Sequence, residues 1–226
     1  CTIIVASQVY ADCPLFIASN RDEFFDRPAS EFRRWPGEPY EFLAPVDLRA
    51  GGTWIGVNSQ GVCAAITNRY GEKPNPERRT RGALVPRALK HQSALEAIRS
   101  FADLEPQAYN PFHLLVADAG SAGVIWSDGQ QLHRVVLPAG FSLITEQSFG
   151  AKTTGRESAL EASLAGLPSR EELTSLMAQK ITPEAGGALI EIPQLNYGTR
   201  SSTLIAYRTQ ERPRIRHANA APDRAR

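Results

Sequence analysis

Short β-rich runs closed by tight turn signals recur along this 226-residue chain, and helical spacing is confined to three stretches in two regions. TIIVASQVY (2–10) and PLFIAS (14–19) flank the turn Ala11-Asp12-Cys13-Pro14 and read as a hairpin that begins almost at the first residue. TWIGV (53–57) and VCAAITN (62–68) flank Asn58-Ser59-Gln60-Gly61 as a second hairpin. FHLLVAD (112–118), AGVIWSD (122–128), QLHRVVL (131–137) and GFSLIT (140–145) follow, with turns so short that an antiparallel meander is expected, and TLIAYR (203–208) supplies a last strand. Residues 82–103 carry an apolar stripe of Leu84, Ala88, Leu89, Leu95, Ile98 and Phe101, broken near His91 to Ser93. Helix returns over 153–166 and 169–180, the latter opened by Ser169 with Glu172 three residues on, a capping box. Strands, helices, strands, helices and a final strand fit an α+β fold: a four-layer αββα sandwich of two antiparallel sheets.

Residues 20–51 are rich in charge, aromatics and proline and read as a long ordered loop with edge strands, the kind of segment that carries function. The stretch from Tyr70 to Arg81 reads as a surface loop. Composition is that of one globular domain, with 42% hydrophobic and 22% charged residues. The domain is assigned to 1–209, followed by a loose polar tail over 210–226. Lys+Arg of 25 against Asp+Glu of 24 leaves a net charge of +1, so no bulk field draws nucleic acid or an anionic membrane, and a small-molecule partner is expected. Cys1, Cys13 and Cys63 form no paired spacing, which argues against disulfides and Cys-rich metal sites and for a reducing, cytoplasmic location. No apolar run is long enough to span a bilayer.

The first residue is Cys rather than Met, from which removal of an initiator is expected. A thiol of reference pKa about 8.5 beside an α-amine of about 7.7 to 8.0 combines a nucleophile with a base able to take its proton near pH 7. Methionine trimming would also expose a small residue with no chemistry attached. A lipid-anchored cysteine would need a flexible tether, whereas TIIVAS begins a buried-looking strand at once. Asn20-Arg21-Asp22-Glu23 follows the strand PLFIAS, where polar side chains could orient an amine and accept hydrogen bonds, or form a solvated turn. Asn68 ends a strand, where its amide could donate to an oxyanion or simply form a turn. Arg200 precedes the last strand and could pair with a carboxylate or substrate.

The strings CTIIVA, ASNRDEFFDRPA, GGTWIGVNSQGVCAAITN and YGTRSST, in that order, resemble the NRDE family of transport and Golgi organization 2-like proteins. That family is similar in turn to choloylglycine hydrolases and penicillin V acylases, N-terminal-nucleophile amidases with an αββα fold. The resemblance implies Cys1 as nucleophile, Asn20-Arg21-Asp22 as the strand-end motif with Asp22 holding the amine, Asn68 as oxyanion donor and Arg200 as the late arginine. This chain departs at two points: Ser19 stands where those amidases have an arginine, with Arg21 its possible replacement. Thr145-Glu146 stands where they have a second asparagine, next to the substrate. A carboxylate stabilises an oxyanion only when protonated.

The resulting expectation is an amidase-type hydrolase or acyltransferase for C–N bonds other than peptide bonds, or for an ester or thioester, working through acyl-Cys1 without metal or cofactor. The alternative is a non-catalytic haem or lipid-ligand carrier, a property to which the wider family has been linked, with His91, His113, His133 and His217 and the three cysteines as possible haem ligands. No histidine pair has ligand spacing.

Overall fold

The run TIIVA is apolar at nearly every position because the strand it forms is buried on both faces: Ile4 and Ala6 on one, Ile3 and Val5 on the other, all at most 1% exposed. It belongs to a computed structural model that describes residues 1–71, 73–150, 154–181 and 187–224. The first residue of the 153–166 helix reading and the last two of the 210–226 tail lie outside the described residues. The chain divides into two compact units, Cys1–Arg27 with Ala139–Arg226, and Pro28–Pro138.

In the first unit, β1 (Thr2–Tyr10) pairs antiparallel with β2 (Cys13–Phe24), as the hairpin reading expects. β2 runs on through Asn20-Arg21-Asp22-Glu23, so this motif lies within the strand and not after it. The polar stretch stays extended because β12 (Tyr197–Tyr207) pairs with it along its whole length, giving the backbone its partners and setting Asn20 opposite Ser202 and Asp22 opposite Thr199. YGTRSST therefore also lies inside a strand, and the final strand starts six residues earlier than TLIAYR suggests. Gly198 within it is required by close approach: a Cβ there would sit 2.7 Å from the Ile190 carbonyl oxygen. β10 (Gly140–Thr145) pairs with the other side of β1, and the short β11 (Glu191–Ile192) flanks β12. GFSLIT thus leaves the expected meander and joins the N-terminal strand. The tail from Gln210 is not loose throughout, since β13 (Arg214–Ala218) pairs with β12. α3 (Gly155–Ala165) and α4 (Arg170–Ala178), each opened by a capping box, cover one face through Leu160, Leu164, Leu173, Leu176 and Met177 against Ile4, Phe16 and Ala18.

The second unit is one antiparallel sheet of β3 (Arg33–Trp35), β4 (Phe42–Ala44), β5 (Ile55–Asn58), β6 (Cys63–Asn68), β7 (Phe112–Ala117), β8 (Ala122–Ser127) and β9 (Leu132–Val136), in sequence order. The β5–β6 turn uses Gly61 at φ +85°, and Asn58 closes it by accepting from the Val62 amide at 2.8 Å while its side-chain amide donates to the Leu89 and His91 carbonyls. The 82–103 stripe breaks where the sequence suggests, into α1 (Leu84–Ala88) and α2 (Ala94–Ser100), because Ser93 caps the second helix by accepting from the Glu96 amide. Leu84, Leu89, Ile98 and Phe101 then pack on Ile66, Phe112 and Leu114. Two antiparallel sheets, each with a pair of helices against it, make the α+β class expected from the sequence.

His217 in β13 faces Thr203 of β12, its Nδ1 2.9 Å from the hydroxyl, and burial lowers its pKa from 6.5 to about 4. With the folded pKa depressed, the unfolded chain holds the extra proton between about pH 6.5 and 4, so the stabilisation present above 6.5 is lost as the pH falls through that window. Thermal unfolding is expected to show a lower Tm at pH 4.5 than at pH 7, and His217→Asn should flatten that difference. An equal slope in the variant would show that His217 is not the group responsible.

Candidate active site

Cys1 enters the site from the end of β1, in line with Arg21 on the neighbouring strand. Its α-amino nitrogen lies 2.7 Å from Asp22 Oδ2, and the Asp22 side chain is wholly buried. The second carboxylate oxygen of Asp22 accepts from Thr199 Oγ1 at 2.6 Å, and that hydroxyl itself accepts from the Ile190 amide at 2.9 Å. A chain of short hydrogen bonds therefore fixes the carboxylate's orientation as well as its position. The thiol lies along the Asp22 backbone: the Asp22 N–H donates to Sγ at 3.4 Å, and the thiol donates to the Asp22 carbonyl at 3.6 Å. That carbonyl also accepts from the Tyr197 hydroxyl at 3.2 Å. Burial pushes the Tyr197 hydroxyl well above its ordinary pKa, and the Asp22, Glu146 and Glu23 carboxylates push it further, so it remains a donor across the working pH range.

Glu146 follows β10 and brings a second carboxylate to the amine, its Oε2 3.6 Å from the Cys1 nitrogen. Its other oxygen is 3.5 Å from Arg156 of α3. Arg156 also donates to the hydroxyl of Thr2 and lies 3.9 Å from Glu157. Burial alone would raise the Glu157 carboxyl, but hydrogen bonds from Thr154 and Thr145 and the Arg156 charge outweigh it and hold the pKa below its ordinary value. A permanent anion at Glu157 gives Arg156 a fixed seat.

Other expected site residues have different surroundings. The side-chain amide of Asn20 donates to the backbone carbonyls of Met177 and Ala188 at 2.8 and 3.2 Å, so it ties the end of α4 to the sheet. Thr145 is fully buried, donates to Glu157 and accepts from the Gln147 amide. Arg21 is buried and lies 3.9 Å from Glu23. Arg200 occupies a bulge in β12, where the register shifts between Thr199 and Ser201, and its Nε is buried without a hydrogen-bond partner among the described residues. Asn68 belongs to the second unit, at the exposed end of β6. Sequence reasoning missed Thr199, Tyr197, Thr2 and Arg156. The first two sit in YGTRSST, a motif quoted for its arginine alone, whereas Arg156 carries no local signal because its partner Thr2 is 154 residues away.

The histidines have occupations of their own: His133 stacks on Trp126 with ring centroids 3.8 Å apart, His91 is 3.6 Å from Glu96, His217 meets Thr203, and His113 is fully buried in β7. No cluster of three or more His, Cys, Asp or Glu suited to a metal ion occurs among the described residues. No described helix is long and apolar enough to cross a membrane.

Solved structures similar to this one include the Caenorhabditis elegans ortholog of N-acylethanolamine-hydrolyzing acid amidase, with TM-score 0.63, 15% identity and coverage of 94% of this chain and 95% of that one. Penicillin V acylase from Agrobacterium tumefaciens aligns with TM-score 0.53 and 16% identity over 97% of this chain and 86% of the acylase. At such identities the likeness carries the fold alone, and that fold is the N-terminal-nucleophile hydrolase fold.

Within that class, the family model for Transport and Golgi organisation 2 matches residues 1–218, and the chain belongs to this family. The Transport and Golgi organization protein 2 homolog of Bos taurus is 32% identical over 224 residues, 84% of this chain and 81% of the bovine protein. The Mus musculus homolog is 33% identical over 111 residues, a match that spans 48% of this chain and 40% of the mouse protein.

Proposed function

We propose that this protein is a cysteine N-terminal-nucleophile hydrolase or acyltransferase that cleaves a linear amide, or an ester or thioester, through an acyl-Cys1 intermediate. The observation that carries the reading is the Cys1 α-nitrogen held 2.7 Å from a buried Asp22 carboxylate that Thr199 orients, with the thiol on the same residue. A free amine there takes the thiol proton, Sγ attacks the acyl carbon, and the amine returns the proton to the leaving amine or alcohol. Water, or an acceptor nucleophile, then releases the acyl group by the reverse proton path. Asp22 keeps the amine aimed at the sulfur. Asn68 is assigned the oxyanion and Arg200 the substrate, both as parts of this reading. The names of the two amidase and acylase neighbours support the reaction class without naming a substrate for this chain.

Incubation with an activated acyl ester, followed by intact mass and peptide mapping, tests this reading. One acyl group per native chain is expected, on Cys1. Cys63 is fully buried, and burial pushes its thiol up to about 12, so it should remain unlabelled. Cys13, buried with its thiol donating to the Leu15 carbonyl at 3.2 Å, should also remain unlabelled. Labelling of Cys13 or Cys63 in preference to Cys1 would overturn the assignment.

Glu146 sets a further expectation. A carboxylate 3.6 Å from the amine adds negative charge where an anionic intermediate develops. Glu146→Asn is therefore expected to raise turnover of a neutral acyl amide, read as kcat. Unchanged kinetics would remove Glu146 from the reaction.

A further inference from the structure

The helix layer of the first unit does not cover its whole sheet. α4 packs on β2 through Leu173, Leu176 and Met177 and leaves the β12–β13 side of the same face open, where a cavity of about 380 Å³ lies between the helix and the strands. That volume falls in the range of small-molecule sites. The register makes its floor: Phe16, Ala206 and Arg214 lie in one row across β2, β12 and β13, and Leu204 faces Arg216 in the next. Alternation puts Leu204 and Ala206 on one face of β12, and Arg214 and Arg216 on the same face of β13, while Arg208, just past the end of β12, also lines the cavity. The first two turns of α4 close the other side with Arg170, Glu171 and Thr174.

Four guanidiniums thus converge on one apolar floor. Arg170 is held by Asp12 at 3.0 Å and lies over the Tyr10 ring, and Arg214 is held by Glu211 at 2.8 Å. These two are positioned yet retain N–H donors, since a guanidinium carries five. Arg208 and Arg216 have no carboxylate within ion-pair distance among the described residues. With Arg170 and Arg214 paired and Glu171 also in the wall, the uncompensated charge is that of Arg208 and Arg216, which repel one another beside an apolar surface unless an anion joins them.

We propose that this groove binds a phosphate monoester carried on an apolar body. A doubly charged group with three exposed oxygens can accept paired hydrogen bonds from several guanidiniums at once, which a single carboxylate cannot do. Phe16, Leu204 and Ala206 then receive the apolar part. The groove shares no residue with the Cys1 site and does not depend on the reaction assigned there.

The test is calorimetric titration of the full chain with octyl phosphate below its micelle concentration, with inorganic phosphate, and with octanoate, at low salt. Octyl phosphate is expected to bind about tenfold or more tightly than either of the other two, which each lack one half of the recognised group. R208Q/R216Q, at exposed positions, should weaken octyl phosphate by about tenfold or more while Tm and acyl labelling of Cys1 stay unchanged. R208K/R216K should fall between the two, since lysine keeps the charge and loses the paired donors. The proposal is overturned if octyl phosphate fails to bind the wild-type chain at millimolar concentration, if octanoate or inorganic phosphate binds equally well, or if R208Q/R216Q binds as the wild type does.

Discussion

A chain carrying one glycine ahead of Cys1 is expected to lose acyl transfer by about 10² to 10⁴-fold, the usual worth of a positioned general base, even though its thiol is intact. The extension turns the α-amine into an amide, which is not basic, and also removes the amine group that faces Asp22 at 2.7 Å. Cys1→Ala keeps the amine and removes the sulfur, and should lose acylation altogether. Nucleophile and base act as a unit, so the combined change should be no worse than Cys1→Ala alone. Thiol alkylation near pH 7 should slow in the extended chain as well. If the extended chain turns over as fast as the chain that starts at Cys1, the amine is not the base and the N-terminal-nucleophile assignment fails.

Asp22→Ala is the second large effect. It leaves the Cys1 amine without its buried partner and the Thr199 hydroxyl without an acceptor, a loss of about 1 to 3 kcal/mol in stability for such unsatisfied groups. Activity should fall by about 10²-fold or more, because an amine displaced by an ångström no longer reaches the sulfur. The loss should fall in kcat rather than in KM if Asp22 positions the amine and does not touch substrate. Thr199→Val, which removes only the group orienting the carboxylate, should show the same pattern on a smaller scale. A loss confined to KM would move Asp22 from the amine to the substrate.

The residues of this site differ in how far the sequence announces them. Asp22 was legible through the motif Asn20-Arg21-Asp22-Glu23, whose resemblance carries a role that composition cannot, since an Asp among charges reads equally well as a solvated turn. The same polarity hid the strand: residues 20–24 and 197–202 look like loop until it is known that they pair with each other, from Phe24 with Tyr197 to Asn20 with Ser202. A strand-like run bounded by short turns identified GFSLIT as a strand but contains nothing about its neighbour, so its departure to β1 could not be read. Turns and caps fared better because their chemistry is local, as at Ser169 with Glu172, Asn58 with Gly61, and the break before Ser93. Arg156 marks the limit, a helix arginine like any other until Glu146, Glu157 and Thr2 are seen around it.

The division of the chain also dictates an order of assembly. Residues 28–138 are continuous and can reach their sheet while the rest is still being synthesised, whereas β1 and β2 must wait for β10 and β12 on either side. The carboxylate of Glu146, the Arg156 beside it and the Thr199 that orients Asp22 all come from the later segment of the first unit, more than 100 residues along the chain from Cys1. Folding confined to residues 28–138 therefore builds none of the arrangement around the Cys1 amine, which needs strands and a helix drawn from both ends of the other unit.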